Sequence, residues 1–288
     1  MIYDCFLIND ELDLLELRLE YMFDQVDYFV IAESSQTFTS LSKKLYFKEN
    51  INRFSRFSSK IIHIEIARNP SSDSAWANEH FQRNYIKTAL DSCSNDDIIL
   101  ISDVDEIINL EVINLNEIKE PTLIQLFYYY YFLNLKSNLY NDVVLVARYV
   151  DLIERNIGDR LDYKSFAQNR INCSEIQTGW HFSYFFGYEI DRYVNKIKSF
   201  SHQEYNNPHI LDIKRIKTVL TYGIDFFERD EMRFFPVKAK LDLGNKLYQT
   251  ARKLNFVKKY SFKHPFPIWI RTKKEFKFYK QYIKNLFR

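Results

Sequence analysis

Apolar residues in the first hundred positions fall into two kinds of run. Residues 2–8 (IYDCFLI) are a short β-branched and aromatic stretch, the pattern of a strand buried on both faces. Asn9 or Asp10 can cap the helix that follows, where Leu12, Leu15, Leu19 and Met22 recur at helical spacing. Residues 28–32 (YFVIA) predict a second buried strand, ending at Glu33-Ser34-Ser35. Residues 60–66 alternate apolar and polar and predict a third. Beyond a polar loop at 68–74, residues 76–90 predict a helix. Residues 98–101 (IILI) then predict a fourth strand, which runs straight into Ser102-Asp103-Val104-Asp105-Glu106. Strand–helix alternation of this kind predicts a parallel α/β sheet.

Ligands of open parallel sheets bind beyond the carboxyl ends of the strands. The polar clusters at 9–11, 33–37 and 103–106 each follow a predicted strand, so they converge on one rim. The second half of the chain is less regular. Residues 123–135 (LIQLFYYYYFLNL) predict a central buried strand and residues 143–150 another, while 174–204 carries the polar-aromatic segments GWHFSYFFG and KIKSFSHQE.

Composition narrows the chemistry. Five glycines in 288 residues, with no GxGxxG and no GxxxxGK[ST], remove the fingerprints of dinucleotide and P-loop sites. Cys5, Cys93 and Cys173 are odd in number and widely spaced, so they predict neither a disulfide framework nor a zinc knuckle and fit a reducing compartment. Asp4, Asn9, Asp10 and Glu11 interrupt any apolar leader, and no run reaches the ~18 apolar residues of a membrane span. A cytoplasmic protein is expected. The 25 Phe and 21 Tyr suit an aromatic core as readily as a carbohydrate platform.

The sharpest chemical signal is Asp103-Val104-Asp105, two carboxylates leaving a buried strand. Buried charge left unpaired is costly, so such acids hold a cation or basic partners. Hard oxygen ligands suit Mg²⁺ or Mn²⁺ on a diphosphate, where the ion neutralises charge on the departing group. Helix-capping aspartates in a solvated turn are the plain alternative for the motif alone. The buried IILIS run before it and Glu106 after it favour the metal reading. Arg83, on the helix leading back into this strand, can pair with an aspartate or clamp a phosphate.

Five co-linear blocks raise the specificity. IYDCFLINDELDLLELRL, VDYFVIAESSQTFTS, WANEHFQRNYI, DDIILISDVDEI and GWHFSYFFG, spread over residues 2–230, resemble glycosyltransferase family 17. That family includes the β-1,4-mannosyl-glycoprotein β-1,4-N-acetylglucosaminyltransferases and bacterial relatives. The resemblance implies a GT-A-type nucleotide-diphospho-sugar transferase fold, an α/β fold with a mainly parallel sheet. It also implies a UDP-sugar donor, UDP-N-acetylglucosamine, inversion at the anomeric carbon, and Mn²⁺ or Mg²⁺. Carried over by position, Asp103 and Asp105 match the DxD, Glu33 the acid after the second strand, and Arg83 the basic residue of the preceding helix. Gly179, Trp180 and His181 match the GWH block beside the donor sugar, and Asn9 and Glu11 of the first rim cluster join the nucleotide-sugar set. The lack of a membrane anchor and lumenal stem sets the chain apart from the animal enzymes and points to a bacterial glycan or glycolipid acceptor.

Three roles remain to fill. His181 and His202 compete as a third metal ligand beside Asp103 and Asp105, with His202 favoured by chain position. Glu204, then Asp191, are the candidates for the base that takes the acceptor proton. Finally, residues 252–288 carry twelve basic residues against one acid, Glu275. Phe276, Tyr279, Ile283 and Phe287 share one face there, as in a helix lying on an anionic membrane surface. The expected organisation is a catalytic domain at 1–250, with a nucleotide-binding half to residue 120 and an acceptor-side half to 250, followed by the tail at 251–288. A metal-dependent phosphohydrolase or phosphotransferase, and a glycan- or nucleic-acid-binding protein, are the competing classes. The motif's place after the fourth strand argues against the first, and the acidic body against a polyanion groove.

Overall fold

The computed structural model describes residues 1–70, 74–173 and 176–254. The expected basic tail from 255 onward, including Phe276, Tyr279, Ile283 and Phe287, lies outside the described residues. The first half alternates as its pattern predicts. β1 (Ile2–Ile8) leads through α1 (Leu12–Met22) to β2 (Tyr28–Ser34). The short α2 (Tyr46–Glu49) and a ten-residue 3₁₀ stretch (Ile51–Lys60) precede β3 (Ile61–Ile66). α3 (Ala75–Asn84) returns the chain to β4 (Ile98–Asp103) and the short β5 (Glu106–Ile108).

The second half is antiparallel in the main. β6 (Thr122–Tyr130) and the long β7 (Leu135–Arg148) form a hairpin, followed by α4 (Tyr149–Leu152) and α5 (Tyr163–Phe166). β8 (Asn169–Ile171), β9 (Gly179–Ser183), α6 (Ile190–Ser199) and α7 (Ile213–Tyr222) come next. β10 (Phe234–Pro236), α8 (Ala239–Asp242) and α9 (Asn245–Lys253) close the described chain.

These strands make one sheet in the order β3-β2-β1-β4-β7-β6-β9-β5, with β10 on β7 and β8 on β6. β3, β2, β1 and β4 are parallel, and β7 joins β4 antiparallel. The period-2 alternation of each strand sends successive side chains to opposite faces. On β1, Phe6 and Ile8 enter one core with Leu15, Ile31, Leu100 and Trp180, while Cys5 and Leu7 enter a second with Val30, Ile86, Ile99 and Tyr163. Both faces are covered by helices, which explains why the parallel strands read as continuous apolar runs.

Two expectations need correction. The run 123–135 is not one strand: β6 stops at Tyr130, Tyr131 turns at φ 62°, and Leu135 already begins β7. Residues 136–142 look too polar for a strand, yet backbone pairing to β6 carries them. At the start of α1, neither Asn9 nor Asp10 caps. Glu11 occupies the cap position, and its carboxylate instead accepts a hydrogen bond from the Asn9 backbone N–H at 3.1 Å.

Candidate active site

Register places the three polar clusters level with one another. Leu7 of β1 sits opposite Asp103 of β4, and Ile8 sits opposite Glu33 of β2. The carboxyl ends of three adjacent parallel strands therefore share one rim, as the sequence implied.

At its centre the segment 103–106 is held from beneath by Arg18. This arginine is fully buried in α1, and its Nε donates to Asp4 Oδ2 at 2.7 Å. Its remaining donors reach the Ser102 hydroxyl at 2.7 Å and the backbone carbonyls of Asp103 at 2.9 Å and Glu106 at 2.5 Å. A planar five-donor fork is suited to satisfying several acceptors at once. Asp4, the one acid within β1, is the counter-charge that lets Arg18 sit in the core.

The acids themselves are met by cations from distant parts of the chain. Asp103 accepts from Arg83 at 2.7 Å on one oxygen and from Arg160 at 2.7 Å on the other, and its side chain is 33% exposed. Burial pushes its carboxyl up, but Arg83 and Arg160 together hold it well below the usual carboxylate range. Arg83 also pairs with Glu79 at 2.9 Å, and Arg160 with the fully buried Glu106 at 2.6 Å. Arg160 arrives on a loop that runs tight against α3. A Cβ at Gly158 would stand 2.3 Å from the His80 carbonyl oxygen, so only glycine permits that approach.

Asp105 is nearly buried. Its Oδ2 lies 3.6 Å from His181 Nε2 and 3.7 Å from the Lys196 ammonium, which bonds Glu11 at 3.2 Å. Burial raises the Asp105 carboxyl, while His181 and Lys196 bring it below its ordinary value. In turn, burial lowers Lys196 but Glu11 and Asp105 lift it above its ordinary range, so it stays charged at neutral pH. The Asn141 amide bonds Glu106 and lies 2.8 Å from His181 Nδ1, while Nε2 faces Asp105. Burial lowers the basicity of the His181 ring, but Asp105 and Glu106 raise it above its ordinary value. Tyr128, opposite His181 in register, packs against it with ring centroids 4.7 Å apart and planes tilted by 36°.

Of the residues expected at the site, Asp103, Asp105, Arg83, Glu11 and His181 come together, with Asn9 tied to Glu11. Others do not. Glu33 is fully buried, and its carboxylate accepts from the backbone N–H groups of Phe47 (2.7 Å) and Lys48 (3.2 Å) and meets His63 at 3.2 Å. Both of its oxygens are engaged at the start of α2. Trp180 is fully buried against Tyr21, on the face of β9 opposite His181. Gly179 serves packing: at φ +155° a Cβ would meet the Ile107 carbonyl at 2.4 Å. Of the GWH block, only the histidine reaches the cluster.

Asp191 is exposed on α6, and five residues separate it from Lys196, about 140° around the helix. His202 and Glu204 bond each other at 2.8 Å, both exposed. Among the described residues no group of three or more His, Cys, Asp or Glu side chains converges as a metal cage, so Asp103, Asp105 and His202 do not form the expected trio.

Arg18, Asn141, Arg160 and Lys196 escaped the sequence reading. One signal was available for the last. Arg192 and Lys196 are four apart on α6 and meet the consecutive acids Asp10 (3.3 Å) and Glu11 (3.2 Å).

The donor set suits a hard divalent cation. A Mg²⁺-type ion carried by a diphosphate needs only one or two protein carboxylates, the remainder being phosphate oxygens and water. Asp103 and Asp105 would supply those carboxylates, with His181 Nε2 at 3.6 Å from Asp105 as its neighbour.

No curated protein matches the chain. The family model described as glycosyltransferase family 17 matches residues 1–264, nearly the whole length, so the chain belongs to that family.

Proposed function

We propose that this family 17 glycosyltransferase has the GT-A-type architecture and transfers N-acetylglucosamine from UDP-N-acetylglucosamine, with inversion, to a glycan or lipid-linked glycan. Membership of the family makes it an enzyme of glycosyl transfer, acting between a sugar donor and a glycan acceptor. The finer reading rests on one observation above all. Asp103 and Asp105 stand at the carboxyl rim of the parallel strands, ringed by Arg83, Arg160 and Lys196. Four parallel strands followed by an antiparallel one support the GT-A reading.

When bound at this rim, Mn²⁺ or Mg²⁺ would supply Lewis-acid neutralisation of the leaving diphosphate. The chain's own residues supply the rest. Arg160 and Lys196 are partly exposed, and each can meet a phosphate oxygen while keeping an acidic partner. Arg83 keeps Asp103 ionised and oriented, and the Asn141–His181 pair does the same for Asp105. Such fixed charges reward the anionic leaving group most as it separates, which is where catalysis gains.

Glu204 is the proposed base. Its carboxylate is exposed and aligned by His202 Nδ1 at 2.8 Å. Partial burial raises it slightly, but hydrogen bonds from its own backbone and from His202 bring it below the ordinary glutamate value. It is therefore ionised throughout the neutral range, and only acid below that value removes its function. Replacement Glu204→Gln is expected to lower kcat by about 10²-fold or more while leaving UDP binding in place. Near-normal turnover in that variant removes Glu204 from the mechanism.

The donor assignment is checked by a screen of nucleotide sugars with Mn²⁺, following UDP release and thermal stabilisation. UDP-N-acetylglucosamine should give the largest response, since a ligand of the folded state stabilises it by mass action. Chelation should abolish release, and added Mn²⁺ should restore it. A response to another donor alone, or full activity in chelator, refutes the corresponding part.

No helix among the described residues is long and apolar enough to cross a membrane. We place the enzyme in the cytoplasm, peripheral to the membrane, with its basic tail sequence favouring an anionic surface.

A further inference from the structure

Trp76 is 42% exposed on the first turn of α3, where a solvated helix face would ordinarily carry a polar residue. It is not isolated. Its ring meets His202 edge-on at 4.6 Å and His80 at 6.3 Å. His202 continues to Tyr205 at 6.1 Å, and Tyr205 packs on Phe227 at 4.2 Å. None of Trp76, His80, His202, Tyr205 and Phe227 is fully buried, so together they form a ridge of partly exposed rings.

Two separate connections fix this ridge beside the acidic rim. Ser201, next to His202, bonds Glu79, which bonds Arg83, which bonds Asp103. At the other end His80 lies 3.9 Å from Asp159, whose neighbour Arg160 holds the second oxygen of Asp103. The ridge is thus anchored on both sides to the groups that grip the central carboxylate.

We propose that this ridge is the acceptor platform, on which a hexopyranose ring of the glycan stacks against Trp76 and His202. The inference rests on the glycosyltransferase reading and deepens it. Its chemistry is that of a sugar rather than of a hydrocarbon partner. Each face of a pyranose presents apolar C–H groups within a rim of hydroxyls. The rings here are interleaved with hydrogen-bonding groups, namely the His202–Glu204 pair, the Tyr205 hydroxyl and Asp159. An aliphatic ligand would displace water from those groups without offering them hydrogen bonds, whereas sugar hydroxyls can bond them. A sugar lying here places a hydroxyl beside Glu204, whose proposed role as base then requires no rearrangement of the segment 201–205.

The test uses the full-length chain, the donor found in the screen, and free oligosaccharides ending in mannose, galactose, glucose or N-acetylglucosamine. With the best acceptor, Trp76→Ala should raise acceptor KM about tenfold with a smaller change in kcat, and Trp76→Phe should restore most of the loss. As an exposed position, Trp76 should tolerate either change without a large fall in thermal midpoint. Saturation-transfer NMR on the same panel should show binding to wild type that weakens in Trp76→Ala. If wild type releases UDP from a donor yet Trp76→Ala keeps the wild-type acceptor KM, or no oligosaccharide of the panel binds, the platform is overturned and the transferase reading stands. If no nucleotide sugar is turned over but oligosaccharide binding still depends on Trp76, the donor reading falls and the platform survives.

Discussion

Asp103→Asn is expected to lower glycosyl transfer by about 10³-fold, the scale seen when one pre-organised electrostatic group is removed from a site of charge development. The substitution keeps the shape and two hydrogen-bonding atoms but removes the negative charge shared by Arg83 and Arg160. Three consequences combine. A metal–diphosphate bound as proposed would lose the more exposed of its two carboxylates. Arg160 and Arg83 keep their other partners, Glu106 and Glu79, so neither is left as an unpaired buried charge. Freed of one acid, the partly exposed Arg160 guanidinium would bind diphosphate more tightly in the ground state as well as in the transition state, a uniform gain that does not raise kcat. The expected signature is therefore a collapse of kcat with UDP affinity retained or increased, measured by UDP release and by titration of thermal stability. A variant with kcat within tenfold of wild type would remove Asp103 from the chemistry. A variant that fails to fold would show that the arginine pairs serve stability first.

The largest expected effect on stability lies beneath the site. In Arg18→Met the core keeps an apolar side chain of comparable length, but Asp4 is left as an uncompensated buried carboxylate, and the carbonyls of Asp103 and Glu106 lose their donor. Breaking one side of a buried pair costs roughly 3–5 kcal/mol. For a chain of this size that corresponds to a fall in thermal midpoint of roughly 6–20 °C. The double variant Arg18→Met/Asp4→Leu removes both charges and should recover more than half of the loss, because apolar replacement of a whole buried pair is often near neutral. Activity should not return with stability. The segment 103–106 would still lack the fork that spans Ser102 and the two carbonyls, and small displacements of catalytic groups are costly. A single variant within about 2 °C of wild type would show that water reaches Asp4, contrary to its complete burial. Recovery of both stability and kcat in the double variant would show that Arg18 does not position the acids.

Much of the first half of the chain was legible because its signals are local. Continuous apolar runs at 2–8, 28–32 and 98–101 and helical spacing at 12–22 specify elements through backbone period alone. The polar residues at the strand ends then mark the rim, since parallel neighbours deliver their carboxyl ends to one edge. The Asp103–Asp105 pair and the order of the family blocks needed nothing beyond the sequence. The hairpin of β6 and β7 was harder. Its turn at 131–134 lacks glycine, and the left-handed residue is Tyr131, so Asn134 was the one weak turn signal inside an aromatic and apolar run.

What only the tertiary structure decided is where each side chain ends up and which charge it meets. Glu33 and Trp180 sit at the right chain positions, yet one closes a helix start and the other fills the core. A strand's alternate residues face opposite ways, and a motif does not record which way is which. Arg160 is 57 residues from Asp103, and Lys196 is 185 from Glu11. Ion pairs at such separations depend on how loops and helices cross the sheet, and Coulomb attraction acts through a few ångströms of space whatever the distance along the chain. The sequence determined the strands, the rim and the acids upon it. Folding chose the cations that hold those acids and the ring-lined ledge beside them.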